Sequence, residues 1–192
     1  MAAQFPDSIQ YNGEAYAIAG LRGNGLLDLS AMGVHSHSYA TACYRGYVSH
    51  YECKDDFLTL QDFTVFTGGA KLQDLHGIQP SEVLHGMASC YSGLKLPCPL
   101  DGDLVVVRDY SYREFGGVTP QPAAYHIVKE LRFINGRLVE ELDHSKALES
   151  IRIQLAAFEQ RRQDEDWTDE EYDEYRAAMW SFAPDMEEQP PF

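Results

Sequence analysis

The sequence predicts an α+β fold, a mainly antiparallel β-sheet or partly open β-barrel followed by two C-terminal α-helices. Three observations lead to it. Asn135-Gly136 sits between two runs of alternating apolar residues, and Asn-Gly in that setting suits the twist of a two-residue hairpin. Residues 39–66 hold two runs rich in Tyr, Val and Thr around Lys54-Asp55-Asp56, a second hairpin pattern. After Asp143 the apolar spacing becomes helical, with Leu148, Ile151, Leu155 and Phe158 three or four residues apart. Strands and helices do not alternate along the chain, which argues against a doubly wound parallel sheet. Two regions follow: a β-rich domain over 1–143 and an acidic helical segment over 144–192, packed on it or extending from it.

Phe5 to Ala19 reads as a hairpin turning at Asn12-Gly13. The glycines of Gly20–Gly25 read as a loop, because they lack the Lys-Ser/Thr of a P-loop and the spacing of a dinucleotide fingerprint. Within a strand from Tyr39 to Cys53, Tyr47, Ser49, Tyr51 and Cys53 alternate with Val48, His50 and Glu52. Phe57–Phe66 is its partner, punctuated by Leu58, Leu60, Thr64 and Phe66. Gln79-Pro80-Ser81-Glu82 opens a short helical turn ending by Gly86, with Pro at an early position where its missing N–H does no harm. Cys90–Leu96 and Asp103–Arg108 read as a further strand pair, the Val run marking a central strand. Tyr125, Ile127, Leu131 and Phe133 share one parity, interrupted by Lys129, before the turn into Arg137–Leu142. Ser145 is placed to cap a first helix ending near Gln163, and Thr168-Asp-Glu-Glu171 forms a capping box for a second, with Tyr172, Tyr175 and Met179 along one side. The tail beyond Pro184 is expected to fray.

Hydrophobic residues make up 44% of the chain and aromatics 12%, enough apolar surface for a real core, so disorder over most of the length is excluded. Thirty acids against 15 bases give a formal charge of −15. That balance disfavours nucleic acid and anionic membranes and leaves basic or zwitterionic partners. Residues 164–192 carry eleven of the acids, with Arg176 as their one base. No window reaches the roughly 18 consecutive apolar residues of a membrane-spanning helix. Met1–Asp7 lacks the basic and apolar regions of a secretory signal, so a soluble cytoplasmic protein is expected. Cys43, Cys53, Cys90 and Cys98 are then thiols, read as small buried hydrophobes.

Cys43-Tyr-Arg-Gly46 and Cys90-Tyr-Ser-Gly93 share a Cys-Tyr-x-Gly pattern, a hint of pseudo-symmetry within a sheet. Thr41-Ala-Cys-Tyr-Arg-Gly-Tyr47, together with Tyr51-Glu52, Leu58-Thr-Leu60, Tyr91-Ser-Gly93 and the Asn135-Gly136 hairpin, resembles a scattered set of uncharacterised β-rich bacterial proteins over about residues 5–143. The resemblance implies a β-rich bacterial cytoplasmic domain. It brings no activity and no catalytic residues, and it leaves the acidic helices outside.

His35, His37, Cys43 and His50 offer zinc-type ligands, but their spacing matches no zinc module, and neither metal nor cofactor is expected. A Cys nucleophile would need His50 or His85 beside Cys43 or Cys90, and no local signature supports that. A Gly-x-Ser-x-Gly elbow is missing. Glu52 with Asp62, or Asp101 with Asp103, would do acid–base work only if folding brought them together, and the latter two fit a turn. Arg45 lies inside an aromatic strand, where its planar fork suits a carboxylate or phosphate, or else it stacks on Tyr44 or Tyr47 or pairs with Glu52.

The leading expectation is a non-enzymatic protein-binding module. Its acidic aromatic surface, Trp167, Glu170, Glu171, Tyr172, Glu174, Tyr175 and Trp180, would capture a protein with a basic surface. A bacterial immunity protein that neutralises a basic toxin is the concrete form, by analogy. A second expectation is a small-ligand-binding protein or enzyme with a pocket near Arg45, His50 and Glu52. A third is a component of a phage-defence or counter-defence assembly, its acidic tail mimicking DNA.

Overall fold

The computed structural model describes residues 5–23, 26–38, 43, 45–110, 122–153, 168–179 and 187–188. Three hairpins supply most of its sheet: β1 (Ser8–Tyr11) with β2 (Glu14–Gly23), β3 (Tyr47–Lys54) with β4 (Phe57–Phe66), and β9 (Tyr125–Ile134) with β10 (Arg137–Asp143). Their turns, Asn12-Gly13, Asp55-Asp56 and Asn135-Gly136, take positive φ at both residues. That geometry matches the right-handed twist of the flanking strands. β8 (Gly102–Tyr110) joins the hairpins by pairing with β2 on one side and β9 on the other, while β1 runs parallel to β3.

The strand order β10-β9-β8-β2-β1-β3-β4 returns to β10 through a single register pair, Phe57 with Arg137. Seven strands thus form a ring with a short seam, reinforced by Leu58 N donating to Gly136 O at 2.9 Å and Leu138 N to Asp56 O at 2.7 Å. The sheet is mixed and mainly antiparallel. Beyond Arg137 the outer edge of β10 has no strand partner among the described residues. Its bulge at Val139 and its charged Glu140 and Glu141 are devices that discourage edge-to-edge pairing.

Alternate residues fill the ring. Ile9 and Tyr11, Tyr51 and Cys53, Leu58 and Leu60, and Leu131 and Phe133 all point into one core. Full burial of such an aliphatic or Phe side chain is worth about 1.5–3 kcal/mol. In β4 the expected parity does not continue to Thr64 and Phe66. A register shift at Gln61 turns Phe63 and Val65 inward instead. The Val run of β8 is buried on both faces: Leu104 and Val106 face the ring. Val105 and Val107 lie outside it under the 3₁₀ turn Pro122–Ala124 and Leu148.

Several expectations are corrected. Gly20–Gly23 are strand, not loop, because β2 and β8 approach so closely that a Cβ at Gly102 would lie 1.9 Å from Arg22 O. The turn expected at Gln79–Gly86 is a strand, β5 (Ser81–Val83), followed by a 3₁₀ turn, Leu84–Gly86, whose Leu84 and His85 take positive φ. The expected partners around Pro97 do not pair. β6 (Ala88–Tyr91) pairs with β4 and β5, β7 (Leu96–Pro97) with β4, and β8 goes elsewhere. Ser145 does not cap a helix; its hydroxyl accepts from Val128 N at 3.0 Å, fastening the chain to β9.

One helix, Asp169–Met179, stands complete among the described residues. Residues 147–153 are helical, and the rest of the expected Ser145–Gln163 helix lies outside the described residues, so two C-terminal helices are not supported. The Thr168–Glu171 capping box forms, with Glu171 N donating to Thr168 Oγ1 and Thr168 N to Glu171 Oε2. In the tail expected to fray, β11 (Glu187–Glu188) pairs with Gly20 and Leu21 of β2. No helix among the described residues is long and apolar enough to cross a membrane.

Candidate functional site

Arg45, the first residue singled out for its fork, sits just ahead of β3 and is held by Asp7, just ahead of β1. The parallel β1–β3 pairing brings their loops together. Arg45 Nη1 and Nη2 donate to the two oxygens of Asp7 at 3.0 Å each, and Ser49 N donates to Asp7 Oδ1 at 2.8 Å. Only 8% of the Arg45 side chain and 3% of that of Asp7 are exposed. The guanidinium also lies 4.8 Å from the centre of the Tyr47 ring. Burial opposes its charge, but Asp7 outweighs that and raises its pKa. Arg45 Nε, Ser49 Oγ and Tyr51 OH are buried without an aligned hydrogen bond among the described residues. This is a buried lock between two strand starts.

His50 and Glu52 are elsewhere. The alternation of β3 places Ser49, Tyr51 and Cys53 in the core and His50 and Glu52 on the outer face. There Ser8 Oγ meets His50 Nδ1 at 2.6 Å, and Gln61 Nε2 donates to Glu52 Oε2 at 3.0 Å. The structure therefore separates Arg45 from the other two. Among the described residues no group of three His, Cys, Asp or Glu side chains is gathered to hold a metal ion. Burial pushes the Cys53 and Cys98 thiols up to about 11, far from the thiolate a nucleophile requires.

A different cluster occupies one mouth of the ring. Lys129 stands opposite Val106, and Glu141 opposite Leu131, so both charged residues share the inward face with core positions. Tyr11 reaches across from β1 to donate to Glu141, which also accepts from Lys129. Lys129 Nζ lies 5.9 Å from the Tyr11 ring centre and Arg108 Cζ 5.2 Å from that of Tyr16. The two rings are 6.4 Å apart. Burial pushes the Tyr11 phenol well up, and its bond to Glu141 adds to that. Burial acts against ionisation of Glu141, yet the bonds from Lys129 and Tyr11 prevail and hold its carboxyl below the usual value. The visible sign in the sequence was Lys129, a charge interrupting an inward parity. Tyr11, Tyr16 and Arg108 gave no such sign.

No family model, curated protein or solved structure matches the chain. The Arg-Gly-Tyr resemblance gains nothing from these comparisons.

On the outer face a third network joins Arg22 and Arg132 to Asp103, and Arg22 to Glu130, whose other oxygen meets His144 Nε2 at 2.9 Å. These charges are satisfied. The helix Asp169–Met179 differs. Glu170, Asp173 and Glu174 are exposed and make no ion pair among the described residues, while Glu171 serves the capping box. Ala178, near its end, packs against the outer cluster around Val105 and Val107. Trp167 and Trp180 lie outside the described residues, as do the side chains of Tyr172 and Tyr175.

Proposed function

We propose that the protein is a binding module whose acidic C-terminal segment docks a protein with a basic surface. One observation carries this reading: exposed carboxylates are concentrated on the helix, in a segment, residues 164–192, that holds eleven of the thirty acids. Arg22, Arg45, Arg108, Lys129 and Arg132 are all paired with carboxylates of the sheet domain. The exposed Glu170, Asp173 and Glu174 have no such partner among the described residues. Unpaired surface carboxylates raise the rate of encounter with a cation-rich surface, and Trp167, Tyr172, Tyr175 and Trp180 are the apolar anchors of the proposal. A second helix completed from 147–153 onward belongs to the same proposal. Neutralisation of a basic toxin by an immunity-type protein is its concrete form.

The test uses the full chain, because Ala178 and β11 contact the sheet and truncation would disturb it. Tagged wild type and a triple variant, Glu170→Gln, Asp173→Asn and Glu174→Gln, are used to capture partners from native extract. The partner retained by wild type is then purified and its association rate measured against salt. Slower association for the variant, and for wild type at high salt, is the expected result. Equal rates for both proteins refute the reading.

A further inference from the structure

Arg108 ends the Val run of β8. Leu104 and Val106 belong to the ring's core and Val105 and Val107 to the outer cluster, so alternation puts Arg108 on the inward side, at the mouth. It is a diagonal neighbour of Lys129, since Val106 pairs with Lys129 and Arg108 with Ile127. Its guanidinium is stacked on Tyr16. Nε and Nη1 are buried and have no aligned hydrogen bond among the described residues. Two carboxylates are close by. Glu14 Oε2 is 2.5 Å from Nη1 and Asp109 Oδ2 3.6 Å from Nε. Neither supplies the in-plane acceptors that the fork is built for. Glu14 is 59% exposed on a hairpin end, whereas 27% of Arg108 is exposed.

We propose that this mouth is a subsite for a small oxyanion, above all a carboxylate, with Arg108 as its fork and Glu14 as an internal competitor resting on the ligand's place, while Lys129 stays with Glu141. Barrel mouths are a common location for such sites. The Tyr16 ring holds the guanidinium plane still, so little freedom is lost when an anion pairs with it. The subsite does not depend on the acidic segment, and it lies away from Arg45.

Calorimetric titration of the full chain with sodium malonate and, separately, inorganic phosphate at fixed ionic strength tests the assignment. Malonate should bind wild type weakly and Glu14→Gln about threefold to fivefold tighter, because the competing carboxylate is gone. Arg108→Gln should bind neither anion. Arg108→Lys, which keeps the charge and guards against a folding defect, should lose most of the affinity. Phosphate binding with the same dependence on Arg108 would support the oxyanion chemistry and name its source. No gain in Glu14→Gln, or undiminished binding in a folded Arg108→Lys, would overturn the proposal.

Discussion

Tyr11 and Glu141 are hydrogen-bonded across the lumen of the ring, although their strands, β1 and β10, pair nowhere. The bond ties the short first strand to the strand whose outer edge is open. Tyr11→Phe should therefore destabilise the fold by about 1–3 kcal/mol, since it leaves a partly buried carboxylate with one donor fewer. Urea unfolding measures this. The pH dependence follows from the same bond. Glu141 has a folded pKa below its unfolded one, so its contribution is present above the unfolded value and is lost as pH falls through the folded value. The acid limb of stability against pH should be shallower in Tyr11→Phe than in wild type, and identical limbs would count against the role given to Tyr11.

The Arg45–Asp7 pair should behave as a unit. Removing one partner, as in Arg45→Met, strands a buried charge and should destabilise by about 3–5 kcal/mol. Arg45→Met with Asp7→Asn should recover a large part of that loss. A double-mutant cycle by chemical denaturation gives the coupling directly. Additive effects would show that the lock is not a unit.

Alkaline titration offers an independent check on the core. Tyr47, Tyr51, Tyr91 and Tyr125 are all pushed above the ordinary tyrosine value of 10.0, chiefly by burial, and Tyr11 likewise. A raised folded pKa means that stability is intact below the unfolded value and declines as pH rises through the folded one. Phenolate absorbance should therefore show these five ionising late and together with loss of near-ultraviolet circular dichroism. Ionisation of all the tyrosines near 10.0 with the fold intact would contradict it.

The thiols should separate by exposure. Cys43, Cys53 and Cys98 are buried and Cys90 is half-buried, and no disulfide joins any of the four. A water-soluble disulfide reagent should modify Cys90 in the native protein and reach the others only in denaturant. Mass spectrometry of the labelled peptides reads the order, and rapid native labelling of Cys53 would be inconsistent with its packing.

The hairpins were legible in the sequence because each is set by local chemistry: two positive-φ residues, and flanking strands whose faces alternate. Asn12-Gly13, Asp55-Asp56 and Asn135-Gly136 all turned where their residue types demand. The errors arose where a distant contact overrides a local pattern. Gly20 to Gly23 look like loop residues until the close approach of β8 is known. Ser145 has the look of a cap, but β9 takes its hydroxyl. Strand order is likewise non-local, so nothing around Pro97 revealed that β6 and β8 part company. At the site, Arg45 was found but not its partner Asp7, which sits 38 residues away. The mouth cluster was visible only as Lys129, since a tyrosine at an inward position looks like any other core residue.

The seam has a kinetic meaning. Phe57 and Arg137 close the ring across some eighty residues of intervening chain, and they do so with one register pair where neighbouring ladders have six or more. Loop entropy must be surrendered before that contact gives anything back, so closure belongs late in folding. By the same reasoning this is where the native molecule opens most readily, with both flanking hairpins still intact. Amide exchange should find Leu58 and Leu138 less protected than their neighbours within the ladders; equal protection would mean that the ring opens only by unfolding as a whole.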